Sequence, residues 1–351
     1  MIPDLQMNSW WQYVVCVLLF IVGVAFLVKG SDVMVLGAAS IAKKFKISPL
    51  IIGLTVVAFG TSLPELAVSV SDSINALIKG GNAEIAIGNV VGSNICNIFI
   101  VLGVCALFTP ILINKKILKL EIPILLLVSG LFILFALCFP FQPYTVLRWE
   151  GAIFVVLIVA YVTFLVFRAK FDKKALEMSR ESDTIKEYST PRSIVYTIVG
   201  LIVVFVGGEA TVYGAKNVAI GIGNASGANP DLVASLVGLT VVAVGTSLPE
   251  LVTSAIASKK GQNDMALGNV IGSNIFNILF IIGISAIVCP LVSGNQLPVD
   301  LIVMIGAAVV LTIFAFIGKI DRWAGVLFIA MYAGYLTYLI VRTIQSVPQV
   351  A

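Results

Sequence analysis

The sequence predicts an all-α integral membrane protein: ten transmembrane helices arranged as two inverted-topology five-helix repeats. Three observations lead there. Of 351 residues 59% are hydrophobic and 11% charged, and the mean hydropathy is +1.08, the balance of a chain embedded in a bilayer. Apolar runs long enough to span, at roughly 20 residues per crossing, take up nearly the whole length. The stretch GLTVVAFGTSLPEL, Gly53 to Leu66, returns as GLTVVAVGTSLPEL, Gly238 to Leu251, the same at thirteen of fourteen positions.

The start, MIPDLQMNSWWQ, carries no Lys or Arg ahead of the first apolar run, so it lacks the basic region of a cleaved signal peptide and the first helix is expected to stay. Runs bounded by charges, Gly or Pro place spans near 13–29, 49–72, 84–108, 118–139 and 149–167. Arg168 to Arg192 is the only long polar stretch and reads as a connector. Five more spans follow near 194–220, 231–257, 264–289, 298–317 and 323–341. The expected division is therefore 1–167, a linker over 168–193, and 194–351. Cys16, Cys96, Cys105, Cys138 and Cys289 lie in or at the ends of apolar runs without a CxxC pair, as buried free thiols do.

Basic residues orient the chain. With the N-terminus outside, 17 of the 22 Lys and Arg fall in inner loops, among them Lys43, Lys44, Lys46, Lys259, Lys260, Lys319 and Arg322. Lys79, Arg148, Lys216 and Arg342 fall outside, and Lys29 ends the first span. That bias predicts a multi-pass protein of the cell membrane with both termini outside and the linker in the cytoplasm. The net charge of +4 is this asymmetry and not a nucleic-acid patch. No soluble domain of useful size remains, so an attached enzymatic or regulatory domain is excluded. Five spans per half is an odd number, so the second copy enters the membrane in the opposite direction, the architecture of many secondary transporters.

The repeated motif contains the chemistry. Pro64 and Pro249 have no N–H to donate and clash with the preceding turn, so each helix should break there. A break at membrane depth is tolerated where the freed backbone faces protein, ions or water, which would turn the carbonyls of Ala58 and Ala243 toward a cavity. Ser62 to Glu65 and Ser247 to Glu250 also fit the S-x-x-E capping box. A cap alone does not require an ionisable group at a depth where an isolated charge costs at least about 2.5 kcal/mol, so Glu65 and Glu250 read as functional.

A second motif, GNVVGSNICNI at Gly88 to Ile98, recurs as GNVIGSNIFNI at Gly268 to Ile278. Its Gly-x-x-x-Gly pairs suit close helix approach. Ser93, Asn97, Ser273 and Asn277 read as lining the site, whereas for Asn94 and Asn274 interhelical hydrogen bonds are a serious rival. Carboxylate, hydroxyl, amide and backbone oxygens suit hard cations such as Ca²⁺ and Na⁺. With no His and no paired thiols, zinc or copper is not expected. Two glutamates balance one Ca²⁺.

On GTSLPE and GSNIxN in both halves, the chain resembles the cation/calcium exchanger superfamily, closest to its prokaryotic sodium/calcium exchanger-like members, over nearly its whole length. The GSD at Gly30 to Asp32, ahead of VLGAASIAKKF, is similar to the family's first long helix. The resemblance implies long tilted helices 1 and 6 sliding past a core of helices 2, 3, 7 and 8. It implies Glu65 and Glu250 as carboxylates shared by Ca²⁺ and Na⁺, completed by Thr61, Ser62, Thr246, Ser247 and the carbonyls of Ala58 and Ala243. Ser93 and Ser273 would serve outer sodium sites and Asn97 and Asn277 the middle. The family's well-studied members have Asp where this chain has Asn277, which leaves the counter-ion open.

The implied function is antiport of Ca²⁺ against Na⁺ by alternating access, with the ions as substrates, no cofactor, no enzyme activity, no nucleic acid and a monomer in the bilayer. Proton/calcium or potassium-dependent exchange is the near alternative, and a cation channel the alternative of another class. A hydrolase built on Ser62 or Ser247 lacks GxSxG and a His base. Asp72, two turns after Glu65, reads as a solvated helix end, Asp32 and Glu209 as helix-end or interhelical hydrogen-bonding groups, and Glu84 and Asp264 as helix caps.

Overall fold

Helices built from these apolar runs account for nearly all of the computed structural model, which describes residues 10–81, 83, 85–113, 117–138, 144–171, 187–225, 243–294 and 296–346. In chain order they are α1 (Trp10–Phe45), α2 (Pro49–Thr61), α3 (Leu63–Lys79), α4 (Ile85–Phe108), α5 (Ile117–Leu137), α6 (Arg148–Phe171) and α7 (Thr190–Ala225). Then come α8 (Ala243–Thr246), α9 (Leu248–Lys259), α10 (Asn263–Val288), α11 (Leu297–Ile317) and α12 (Arg322–Ser346). Among the described residues eight are long and apolar enough to cross a bilayer, and α2 with α3 make a ninth span bent by 46°. The span expected near 231–257 is described only from Ala243 onward. Most of the linker, Glu84 and the side chain of Cys138 also lie outside the described residues.

The first span is longer than expected. Helix α1 does not end near 29 but continues through Gly30-Ser31-Asp32 to Phe45, 36 residues, and α7 has the same length. At 1.5 Å per residue each is about 54 Å long, well beyond the roughly 30 Å hydrocarbon core, so both must lie tilted. A seven-residue glycine repeat lets them run in contact. Gly23, Gly30 and Gly37 face a line of Gly200, Gly207, Gly214 and Gly221 in the opposite direction, Gly23 beside Thr211 and Gly37 beside Thr197. A Cβ on Gly30 would lie 2.8 Å from the Val204 nitrogen, and one on Gly207 2.7 Å from the Leu27 nitrogen.

Helices α4 and α10 form the centre, with 78% and 83% of their apolar windows buried against 22% for α6. Gly268 and Gly272 seat α10 on α2, where a Cβ would strike the backbone at Leu50 and Leu54. The repeat assigns Gly88 and Gly92 a counterpart segment at 235–243, largely outside the described residues. Two short antiparallel strand pairs close the ends. β1 (Ile111–Leu112) pairs with β4 (Lys319–Ile320), and β2 (Thr145–Val146) with β3 (Leu291–Val292). Cys16, Cys96, Cys105 and Cys289 are buried free thiols.

Candidate cation site

Each repeated motif breaks its helix as expected, two residues before the proline. Ser62 (φ −83°, ψ 8°) and Ser247 (φ −85°, ψ 4°) interrupt the two helices, and Pro64 and Pro249 sit in the first turn of the helices that follow. This matches the tolerance of the first turn for a residue without an N–H. Neither serine hydroxyl caps its helix, which corrects the capping-box reading. Ser62 Oγ instead donates to Glu250 Oε1 at 3.0 Å, across to the other repeat.

Glu65 and Glu250 are fully buried and close enough to repel each other. Ser93 Oγ donates to Glu65 Oε1 at 3.3 Å, and Ser273 Oγ to Glu250 Oε1 at 3.4 Å. Thr246 reaches Glu65 and Thr61 reaches Glu250, so each threonine serves the carboxylate of the opposite repeat. Ser247 Oγ, the counterpart of Ser62, lies beside the Cys96 thiol. Among the described residues the ion pairs are Arg168–Glu121, Lys260–Asp32, Lys319–Asp321 and Arg342–Asp300, and none includes either glutamate.

The Ala58 carbonyl accepts from the Ser62 nitrogen at 3.1 Å, from Thr61 Oγ1 at 3.4 Å and from Ser273 Oγ at 3.5 Å. It therefore lies among the site's hydroxyls, as its position before the break suggested. Ala243 opens the four-residue helix α8. The asparagines meet across α4 and α10. Asn94 and Asn274 exchange amide-to-carbonyl bonds at 3.3 Å each, Asn97 Nδ2 donates to Asn274 Oδ1 at 3.1 Å, and Asn277 Nδ2 donates to Asn94 Oδ1 at 3.0 Å. The wide π-type turns Asn97–Val101 and Asn277–Ile282 begin at these residues, a distortion common at functional sites.

The result is a set of buried acceptors that face no donor among the described residues: Glu65 Oε2, Glu250 Oε2, Asn97 Oδ1 and Asn277 Oδ1. Each carboxylate commits one oxygen to hydroxyls and leaves the other. A buried acceptor left unpaired costs about 1–3 kcal/mol, more when charged, so such a group of four fits an ion that supplies positive charge.

Two asparagines that the sequence reading passed over belong to this framework. Asn89 Nδ2 donates to the Glu65 carbonyl at 3.2 Å and to Ser69 Oγ at 3.0 Å. Asn269 Nδ2 donates to Ser254 Oγ at 2.9 Å, while its Oδ1 accepts from Thr61 Oγ1 at 3.2 Å. Their identical place in the two repeats was the available signal. The other acids sit apart. Asp72 Oδ2 accepts from the Ile85 nitrogen at 3.0 Å and so caps α4, and Asp32 pairs with Lys260 at 2.7 Å. Asp264 lies in the first turn of α10.

A multi-pass helical protein with donor-free oxygens buried between broken helices is of the ion-handling membrane class. The chain belongs to the sodium/calcium exchanger protein family, whose model matches residues 15–167 and 192–341. It is 36% identical over 364 residues to the sodium/calcium exchanger MaX1 of Methanosarcina acetivorans, covering 92% of this chain and 97% of that protein. It is 34% identical over 277 residues to the inner membrane protein YrbG of Escherichia coli, covering 78% and 79%. Among solved structures, the sodium-calcium exchanger NCX_Mj soaked with zero Na⁺ and Ca²⁺ superposes with a TM-score of 0.75 at 34% identity, over 93% of this chain and 99% of that one.

Proposed function

We propose that the protein exchanges Ca²⁺ for Na⁺ across the cell membrane by alternating access to a site between Glu65 and Glu250. The observation that carries this is the donor-free set Glu65 Oε2, Glu250 Oε2, Asn97 Oδ1 and Asn277 Oδ1, a hard-oxygen environment of formal charge −2. Thr61, Ser62, Thr246, Ser247, Ser93, Ser273 and the carbonyls of Ala58 and Ala243 complete the ligand set in this reading. One Ca²⁺ or more than one Na⁺ neutralises the carboxylates. The unloaded site, with two uncompensated charges in low dielectric, is costly to carry between states, which makes exchange obligatory.

Ten helices in two inverted repeats, residues 1–167 and 194–351 joined by a cytoplasmic linker, provide the two states. The antiparallel α1/α7 seam and the two separate segments of the family match support that arrangement. Both carboxylates come from one chain, so a monomer holds a complete site.

Ca²⁺ uptake into proteoliposomes, driven in turn by Na⁺, K⁺ and H⁺ gradients at clamped values of the others, tests the proposal. A Na⁺ gradient should drive uptake, and Glu65→Gln or Glu250→Gln should abolish it while the protein still inserts. Uptake retained in both variants overturns the two-glutamate site, and uptake driven only by protons or only with K⁺ reassigns the counter-ion.

A further inference from the structure

The primary amides of Asn97 and Asn277 have two unlike ends of nearly the same shape. One end attracts a cation and the other repels it. Shape does not choose between them, so hydrogen bonds must. For Asn277 the choice is made by Asn94 Oδ1, which accepts its Nδ2 at 3.0 Å, and for Asn97 by Asn274 Oδ1, which accepts its Nδ2 at 3.1 Å.

The two acceptors are themselves fixed. Asn94 Nδ2 donates to the Asn274 carbonyl and Asn274 Nδ2 to the Asn94 carbonyl, both at 3.3 Å. Turning Asn94 over would set its N–H groups against those of Asn277 and its oxygen against the Asn274 carbonyl. All four side chains are at most 1% exposed, so water is not at hand to repair either clash.

We infer that Asn94 and Asn274 are positioning residues: by accepting the amide hydrogens of Asn277 and Asn97 they keep the Oδ1 atoms of those residues turned toward the cation. This rests on the site reading above. It follows that Asn277 and Asn94 form one unit. An ionised carboxylate at 277 offers no hydrogen to Asn94 Oδ1 and sets two acceptors against each other, whereas a protonated one donates as the amide does. Once Asn94 is gone, an acid needs no orientation, because both its oxygens accept.

The test is Ca²⁺ and Na⁺ binding, by titration calorimetry, to the purified full-length protein and four variants: Glu65→Gln, Asn94→Leu, Asn277→Asp and the double variant Asn94→Leu/Asn277→Asp. Asn94→Leu should weaken Ca²⁺ binding about tenfold, the equivalent of one hydrogen bond. At a pH high enough to ionise the new carboxyl, Asn277→Asp should weaken binding when Asn94 is present and strengthen it in the Asn94→Leu background. That reversal of sign is the signature, because a merely structural loss would add in the double variant.

Unchanged binding in Asn94→Leu, or equal harm from Asn277→Asp in both backgrounds, overturns the inference. If Asn94→Leu does not elute as a monodisperse peak, Asn94→Ala removes the same acceptor without adding bulk and replaces it throughout. Failure of the wild-type protein to bind either ion, or wild-type binding in Glu65→Gln, overturns the site reading itself. Wild-type binding lost in Glu65→Gln, with a flat Asn94 series, overturns only the positioning role.

Discussion

Ser62 shows how a site can occupy a motif whose local meaning is different. Its hydroxyl stands three residues before a glutamate and opens a helix, yet it caps nothing and reaches Glu250, 188 positions away. The consequence is measurable. Ser62→Ala should weaken Ca²⁺ binding about three- to tenfold with the loss of a donor to a charged group. A stability loss near 1 kcal/mol with unchanged binding would return Ser62 to the capping role. The sequence shows which residues carry oxygen at membrane depth, because a polar group there is conspicuous. It does not show partners: nothing in GTSLPE says that Ser62 serves the other repeat's glutamate, or that Asn94 and not Asn97 gives up its oxygen. Those facts depend on how α4 crosses α10, and that crossing is set by side-chain packing along both helices.

At the scale of elements, the peripheral helices are held by a triad built twice. Arg168 pairs with Glu121, which also accepts from Tyr161 Oη at 3.2 Å. In the second half Arg342 Nη1 donates to both oxygens of Asp300 at 3.1 Å, and Tyr335 Oη donates to Asp300 Oδ1 at 3.1 Å. Each triad joins the start of one helix to the end of the next, α5 to α6 and α11 to α12. They differ in burial: Glu121 is fully buried and Asp300 is 17% exposed. Removing a partner from a buried charge costs about 3–5 kcal/mol, whereas a partly solvated pair is worth about 1 kcal/mol or less. Arg168→Ala should therefore lower the melting temperature in detergent clearly more than Arg342→Ala. Equal losses would mean that Glu121 is reached by water. Read singly, these charges resemble solvated helix ends, so the sequence reading passed over them. The matching order of acid, tyrosine and arginine in the two halves, Glu121, Tyr161 and Arg168 against Asp300, Tyr335 and Arg342, was the signal that could have found them. The length of α1 was hidden for a related reason, since Gly30-Ser31-Asp32 looks like a boundary until Gly23, Gly30 and Gly37 are seen to form one face against α7.

For the whole molecule, the strand pairs constrain which ends share a side of the membrane. Hydrogen-bonded strands cannot lie on opposite faces of a bilayer, so the segment after α4 (Ile111–Leu112) must lie with the one before α12 (Lys319–Ile320). Likewise Thr145–Val146 lies with Leu291–Val292, and the Val292 nitrogen donates to the Ala83 carbonyl at 2.9 Å, bringing the end of α3 to that face. The Lys and Arg bias assigns the first group inside and the second outside, and nothing in that assignment used strand pairing. The pairing is thus consistent with the proposed topology, in which the two halves would run oppositely through the membrane. Single cysteines test it, since Lys79 is exposed beside Ala83 and the Lys319 side chain is 54% exposed. Cys16, Cys96, Cys105 and Cys289 are buried, and the parent protein serves as the labelling blank. Lys79→Cys should react with a membrane-impermeant maleimide on intact cells, and Lys319→Cys only after permeabilisation. Labelling of both from one side would break the ten-span inverted arrangement, and with it the opposed approach of Glu65 and Glu250 on which alternating access depends.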